Sequence, residues 1–105
     1  MRIIAGPCQH ESFPQSLEIA RECKRVCNKY GIEYYFKASY DKANRSSANG
    51  IRGLGLETTL TDFLALKVEL GVKTLADVHD YVQVARIERE FRDAVDVYQI
   101  PAFLC

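Results

Sequence analysis

Four cations crowd one short stretch of this sequence. Lys37, Lys42, Arg45 and Arg52 stand within residues 37–52 against Asp41 alone, a local charge of +3. Ser39, Asn44, Ser46, Ser47 and Asn49 are interleaved with them, and Gly50, Gly53 and Gly55 lie towards the end of the stretch. Cations among spare hydroxyl, amide and backbone N–H donors suit a phosphate or a carboxylate ligand. A solvated basic loop has the same composition, and composition alone leaves both readings open.

The elements that must position such a loop are written in the apolar spacing. Residues 2–7 and 32–37 read as strands, the second rich in aromatic and β-branched types. Between them Ser12, Pro14 and Gln15 form a helix start, apolar residues recur at 17, 20, 23, 27 and 30 with 19 and 26 flanking, and Gly31 ends the pattern. After the aperiodic stretch from Ala38 to Gly55, which is long for a connector, a second helix is predicted over about 56–70. Its apolar face is Leu60, Phe63, Leu64 and Val68, and Gly71 is its stop. Residues 72–76 read as a third strand, Asp80-x-x-Gln83 as a capping box for a helix to about Phe91, and residues 94–100 as a fourth strand. The order β-α-β-α-β-α-β implies a parallel sheet, either the beginning of a doubly wound fold or half of a (β/α)8 barrel. In either, Cys8, Lys37 to Lys42, Asp77 with His79, and Gln99 to Phe103 fall at the C-terminal strand ends, where ligands of α/β folds bind.

At 105 residues the chain is one small domain or less, and 14 Lys and Arg balance 14 Asp and Glu. Zero net charge argues against a nucleic-acid partner. The sequence contains neither a long apolar window nor a signal-peptide pattern, so the expectation is a cytoplasmic protein with no membrane association. The four cysteines, without a secretion signal, are not expected to pair as disulfides. Cys23 and Cys27 fall on the apolar helix face as core residues. Both ends run straight into apolar segments, which points to part of a longer protein.

The segments IAGPCQHES, FKASYDKANRSS, Arg52-Gly53-Leu54-Gly55-Leu56-Glu57, Asp77-Val78-His79 and Gln99-Ile100-Pro101-Ala102-Phe103-Leu104-Cys105 together resemble the 3-deoxy-D-manno-octulosonate 8-phosphate synthases. The likeness runs in order along essentially the whole chain. The AGPC motif is shared with the sister 3-deoxy-heptulosonate 7-phosphate synthases, whose loop is typically of a Lys-Pro-Arg-Thr-Ser type. Lys42-Ala43-Asn44-Arg45-Ser46-Ser47 therefore favours the octulosonate family. The resemblance implies a (β/α)8 barrel of roughly 250 residues. Residues 1–105 would be its N-terminal part, with the first four strands and three helices.

It also implies a transferase of lipopolysaccharide biosynthesis that condenses phosphoenolpyruvate with D-arabinose 5-phosphate and releases phosphate. By resemblance, Lys37 and Lys42 bind phosphoenolpyruvate, Lys42 also reaches the aldehyde, and Asp77 meets substrate hydroxyls. Lys42 and Asp77 would be the catalytic pair, with Ser39 in the same substrate-binding segment. Asn44 would bind the pentose, Arg45 and Ser46 its phosphate, and Gln99, Ala102 and Phe103 would wall the phosphoenolpyruvate pocket. Simpler readings stand beside these: Lys37 as an interior lysine paired with a carboxylate such as Asp77, and Ser46 and Ser47 as turn residues.

Cys8 matches the metal-binding cysteine of the metal-dependent members, where a divalent zinc, iron or manganese ion is held with a His, a Glu and an Asp from the second half of the barrel. One ligand does not hold an ion, so this chain alone is expected to bind none tightly. His10 is the weaker candidate ligand, and His79 and Cys105 have no assigned role. The family's pentose-phosphate grip also implies a homo-oligomer, a tetramer in the family. Ala48 to Gly55 departs from the usual Ile-His-Ser-Phe-Arg-Gly-Pro-Gly, and Ala76 replaces a common Thr. Two other readings remain: a catalytically silent half-barrel that binds or pairs with other chains, and the sister heptulosonate synthase.

Overall fold

The computed structural model describes residues 1–40 and 55–101. Ser12 caps α1 (Phe13–Lys29): its backbone is extended and its hydroxyl accepts the Gln15 N–H at 3.3 Å, with Pro14 in the first turn. Gly31 follows the helix at φ 67°. α2 (Leu56–Leu70) ends on Gly71 at φ 66°, a left-handed conformation that residues with a Cβ adopt at a penalty. Asp80 caps α3 (Tyr81–Glu90) by accepting the Gln83 N–H at 2.8 Å. The box closes one residue before the cap, because the Gln83 side-chain oxygen accepts the His79 N–H at 2.6 Å.

Strands β1 (Arg2–Ala5), β2 (Glu33–Lys37), β3 (Lys73–Asp77) and β4 (Val97–Gln99) lie in that order and pair in parallel throughout. With helices between them, this is the architecture of a partial (β/α)8 barrel. β4 is shorter than its apolar run because the Ala94 N–H is bonded to the Phe91 carbonyl in a turn at 3.0 Å, which leaves Ala94 and Val95 buried ahead of the strand. Asp96 then anchors the turn, accepting the Lys67 ammonium at 2.5 Å and the Thr74 N–H at 2.8 Å.

Period-two alternation sorts the sheet into two faces. Tyr34, Phe36, Ala76 and Val78 join the helices in one core, where Phe36 meets Phe63 edge-on at 5.5 Å. Cys27 is buried and Cys23 half-buried against this core, as their helix positions predict. The predicted face of α2 needs correction. Leu60 and Phe63 are buried and Leu64 packs beside them, but Val68 is 88% exposed, and Thr59 and Leu66 are fully buried in its stead. A threonine within the buried stripe rotates it away from the direction that apolar residues alone indicate. On α1, Tyr30 is likewise exposed, because it is the C-cap.

The registers put Arg2 and Ile4, then Glu33, Tyr35 and Lys37, then Lys73, Leu75 and Asp77, then Val97 and Gln99 on the opposite face. At its N-terminal end, Glu33 binds Arg2 Nε at 2.9 Å and Lys73 Nζ at 3.2 Å, and the two cations lie 5.8 and 5.5 Å from the Tyr35 ring centre. Hydrogen bonds from Arg2 and then Lys73 hold the Glu33 carboxyl down at about 2, against an ordinary 4.5. A depressed carboxylate stabilises the fold above its unfolded pKa, and that contribution is lost as pH falls through the folded one. The thermal midpoint should therefore fall between about pH 4.5 and pH 2 more steeply in the wild type than in Glu33→Gln. Identical slopes in a pH series of melting curves would refute this role for Glu33.

Candidate active site

Rows across the non-helix face explain which residues meet. Lys37 is in register with Leu75, and Leu75 with Val97. One row further towards the C-terminal end, Asp77 is in register with Gln99. Ser39 continues the same row from beyond β2, and its hydroxyl donates a short hydrogen bond to Asp77 Oδ1. The second carboxylate oxygen lies 3.6 Å from His79 Nε2, and the His79 ring stands beside Tyr40 at 6.0 Å. Tyr40 donates to the same Gln83 oxygen, at 2.5 Å, that receives the His79 N–H. The N-terminus of α3 thus supports the residues around Asp77.

Lys37 is half-buried at the end of β2. Among the described residues it makes no ion pair, and Asp77 is engaged by Ser39 and His79 instead. That removes the reading of Lys37 as the buried partner of Asp77. A half-buried ammonium with no carboxylate beside it among the described residues is favourable to an incoming anion. Gln99 is exposed at the end of β4, and its carbonyl accepts the Val78 N–H at 3.0 Å.

Cys8 reaches the same end of the sheet by an irregularity in β1. Between the pair Ala5↔Phe36 and the bridge Gln9↔Ser39, the first strand advances four residues and the second only three. The extra residue falls in Gly6–Cys8, beside Pro7, which has no N–H to give to a ladder. Cys8 is left exposed with a free thiol. Gly6 permits the approach: a Cβ there would stand 2.0 Å from the Lys37 carbonyl oxygen and 2.9 Å from its carbon. In the sequence Gly6 reads only as part of the Gly6-Pro7 stop of the first strand and as a letter of the AGPC motif. Close backbone contact, the usual reason for a strand-end glycine, is the signal that would have singled it out.

His10 is not placed as a ligand beside Cys8. Its ring is fully buried, with Nδ1 2.8 Å from Ser16 Oγ and Nε2 2.7 Å from Asp62 Oδ2, so both nitrogens are already engaged. Among the described residues there is no group of three or more His, Cys, Asp and Glu side chains arranged to hold a metal ion. The exposed Cys8 sulfur is one possible donor, where a transition-metal site takes about four. Lys42, Asn44, Arg45, Ser46, Ala102, Phe103 and Cys105 lie outside the described residues. Among the described residues, no helix is long and apolar enough to cross a membrane.

Residues 1–105 match the model of the DAHP synthetase I family. A 2-dehydro-3-deoxyphosphooctonate aldolase of Rhodopseudomonas palustris (strain TIE-1) is 47% identical over 105 residues, covering 100% of this chain and 35% of the relative. Proteins of the same name from Dechloromonas aromatica (strain RCB) and Nitrobacter hamburgensis (strain DSM 10229 / NCIMB 13809 / X14) are each 48% identical. The match covers 98% and 100% of this chain, and 36% and 35% of those relatives. The chain spans about a third of the length of the curated relatives it matches.

Proposed function

Since this chain belongs to the DAHP synthetase I family, we propose that it is the N-terminal part of a cytoplasmic 3-deoxy-8-phosphooctulonate synthase, which condenses phosphoenolpyruvate with D-arabinose 5-phosphate for lipopolysaccharide biosynthesis. The observation that carries this reading is the gathering of Lys37, Ser39, Asp77 and Gln99 on one face at the C-terminal strand ends, with an ammonium below that has no ion-pair partner among the described residues and a hydroxyl-bound carboxylate above. The names of the curated relatives support the octulosonate activity over the heptulosonate one that the family description carries.

In this reading C3 of phosphoenolpyruvate bonds to the pentose aldehyde carbon, water adds at C2, and phosphate leaves with its bridging oxygen. The catalyst's task is to place two anions face to face and hold the charge that develops. Lys37 neutralises phosphoenolpyruvate from below, and Lys42 reaches both it and the aldehyde. Asp77, oriented by the Ser39 hydroxyl and by His79, accepts from pentose hydroxyls. Asn44, Arg45 and Ser46 hold the pentose and its phosphate, and Gln99, Ala102 and Phe103 form the wall. Cys8 would supply one ligand to a divalent zinc, iron or manganese ion, with the other ligands coming from the rest of the full-length protein. Such an ion, when bound, would supply Lewis-acid polarisation of the aldehyde. The exposed apolar residues on the outer strands, Ile3 and Ile4 on β1 and Val97 on β4, support a sheet that continues into further strands, and the family precedent is a homo-oligomer, a tetramer.

The test is phosphate release by the full-length enzyme with phosphoenolpyruvate and either arabinose 5-phosphate or erythrose 4-phosphate. Arabinose 5-phosphate should be preferred. Preference for erythrose 4-phosphate would move the assignment to the sister synthase, and turnover of neither would remove it. The 105-residue chain by itself should be silent, and turnover by it would refute the assignment of essential groups to the rest of the enzyme.

A further inference from the structure

His10 takes no part in the proposed chemistry, yet it is fully engaged close beside it. Its imidazole is completely buried between Ser16 in the first turn of α1 and Asp62 on α2, with the Phe63 ring edge-on at 6.4 Å. A carboxylate only accepts hydrogen bonds, so Nε2 carries a hydrogen towards Asp62, and in the neutral ring Nδ1 accepts from the Ser16 hydroxyl. One side chain therefore ties the loop after β1 to two helices. Its main chain faces the site: the His10 N–H donates to the Ser39 carbonyl at 2.9 Å, and Gln9 bridges the same residue. The Ser39 hydroxyl binds Asp77, and Cys8 precedes His10 by two residues.

We propose that His10 is a positioning residue of this site: pinned by Ser16 and Asp62, it holds the β1–α1 loop against the end of β2 and thereby sets both Cys8 and the Ser39–Asp77 pair. An apolar side chain of similar size would fill the same volume, but it has no directional contacts to fix the depth and rotation of the loop. The surroundings fit the directional role. Ser16 is fully buried and the Asp62 side chain is only 18% exposed, and the imidazole satisfies a polar atom of each.

The proposal rests on the reading above only in giving Cys8, Ser39 and Asp77 their importance, and its test needs neither substrate nor metal. Three variants separate positioning from space-filling. His10→Gln keeps an acceptor and a donor at similar separation. His10→Leu removes both, leaving Ser16 and Asp62 unpaired. The triple variant His10→Leu, Ser16→Ala, Asp62→Leu removes those polar groups as well. Two properties are read: the rate at which iodoacetamide alkylates Cys8, followed on its own peptide relative to Cys23, and the carbon-13 shift of the Asp77 carboxylate, which reports the Ser39 hydrogen bond. His10→Gln should match the wild type. His10→Leu should change the alkylation rate of the exposed Cys8 thiol severalfold, because the loop no longer holds it in one setting, and should move the Asp77 signal. The triple variant should regain thermal stability yet keep the changed rate and the moved signal. If the triple variant shows wild-type values for both, His10 is a packing residue and the proposal falls. It falls too if His10→Leu changes neither. A full-length enzyme without synthase activity would overturn the functional reading and leave these two measurements as they are.

Discussion

Gly6→Ala should destabilise the fold by about 3 kcal/mol or more, at or above the upper end of the range for overpacking. The added methyl carbon would sit 2.0 Å from the Lys37 carbonyl oxygen and 3.1 Å from the Lys37 nitrogen. These are backbone atoms already held in the ladder between β2 and β3, so they have no rotamer into which to retreat. Either the end of β1 lifts off β2, or β2 moves and carries Lys37 with it. Denaturant unfolding of the variant measures the first outcome and, on the function proposed above, loss of phosphoenolpyruvate affinity in the full-length protein the second. Gly31→Ala is the control, since nothing lies within 4 Å of its Cβ and only its φ of 67° opposes the change. It should lose roughly 1 kcal/mol. A Gly6→Ala protein within about 0.5 kcal/mol of the wild type, the level of an inconsequential surface change, would show that the contact yields.

Lys37→Met should move activity and stability in opposite directions. On the function proposed above, kcat/KM for phosphoenolpyruvate in the full-length protein should fall about a thousandfold, the upper end of the effect of removing one preorganised charge from a reacting site. The same substitution should leave the unfolding midpoint unchanged or raise it. Among the described residues the ammonium has no carboxylate partner, and methionine keeps the stem packed in the row with Leu75 and Val97 without a charge to desolvate. Lys37→Arg should recover part of the activity, since it returns the charge in a different shape. A fall in kcat/KM of less than about threefold, within about 0.7 kcal/mol of no effect, would exclude Lys37 from the binding of the anion. A large drop in stability would mean that the side chain has a structural partner after all.

Much of this arrangement is visible in the linear sequence, because local chemistry decides it. Ser12 and Asp80 cap the helices the spacing assigns to them, and Gly31 and Gly71 end α1 and α2. Parallel alternation of strand and helix then gathers Cys8, Lys37, Asp77 and Gln99 at one end without any knowledge of distances. What stayed hidden depends on residues far apart in the chain. The Ser39–Asp77 hydrogen bond joins positions 38 apart and His10–Asp62 positions 52 apart, and no periodicity links either pair. The error on α2 has a different origin. Apolar spacing passes over a buried threonine, so it points to Val68 where the buried stripe runs through Thr59 and Leu66. Spacing alone makes His10 a weak ligand candidate, and the structure supplies the physical reason in the two partners of its ring.

The additional residue in Gly6–Cys8 bears on insertions and deletions more than on substitutions. If Pro7 were removed, Ala5 and Gln9 would keep their partners on β2, but the ladder between them would become regular. Cys8 would then fall opposite Ala38, which is fully buried. The thiol would be drawn from the open end of the sheet into the ladder, with every residue around it still present. Restoring the count with another residue in place of Pro7 would return the thiol to the open end. In this corner of the molecule the availability of a reactive sulfur is encoded as a length of chain, and a one-residue gap would abolish it where most exchanges of side chain would not.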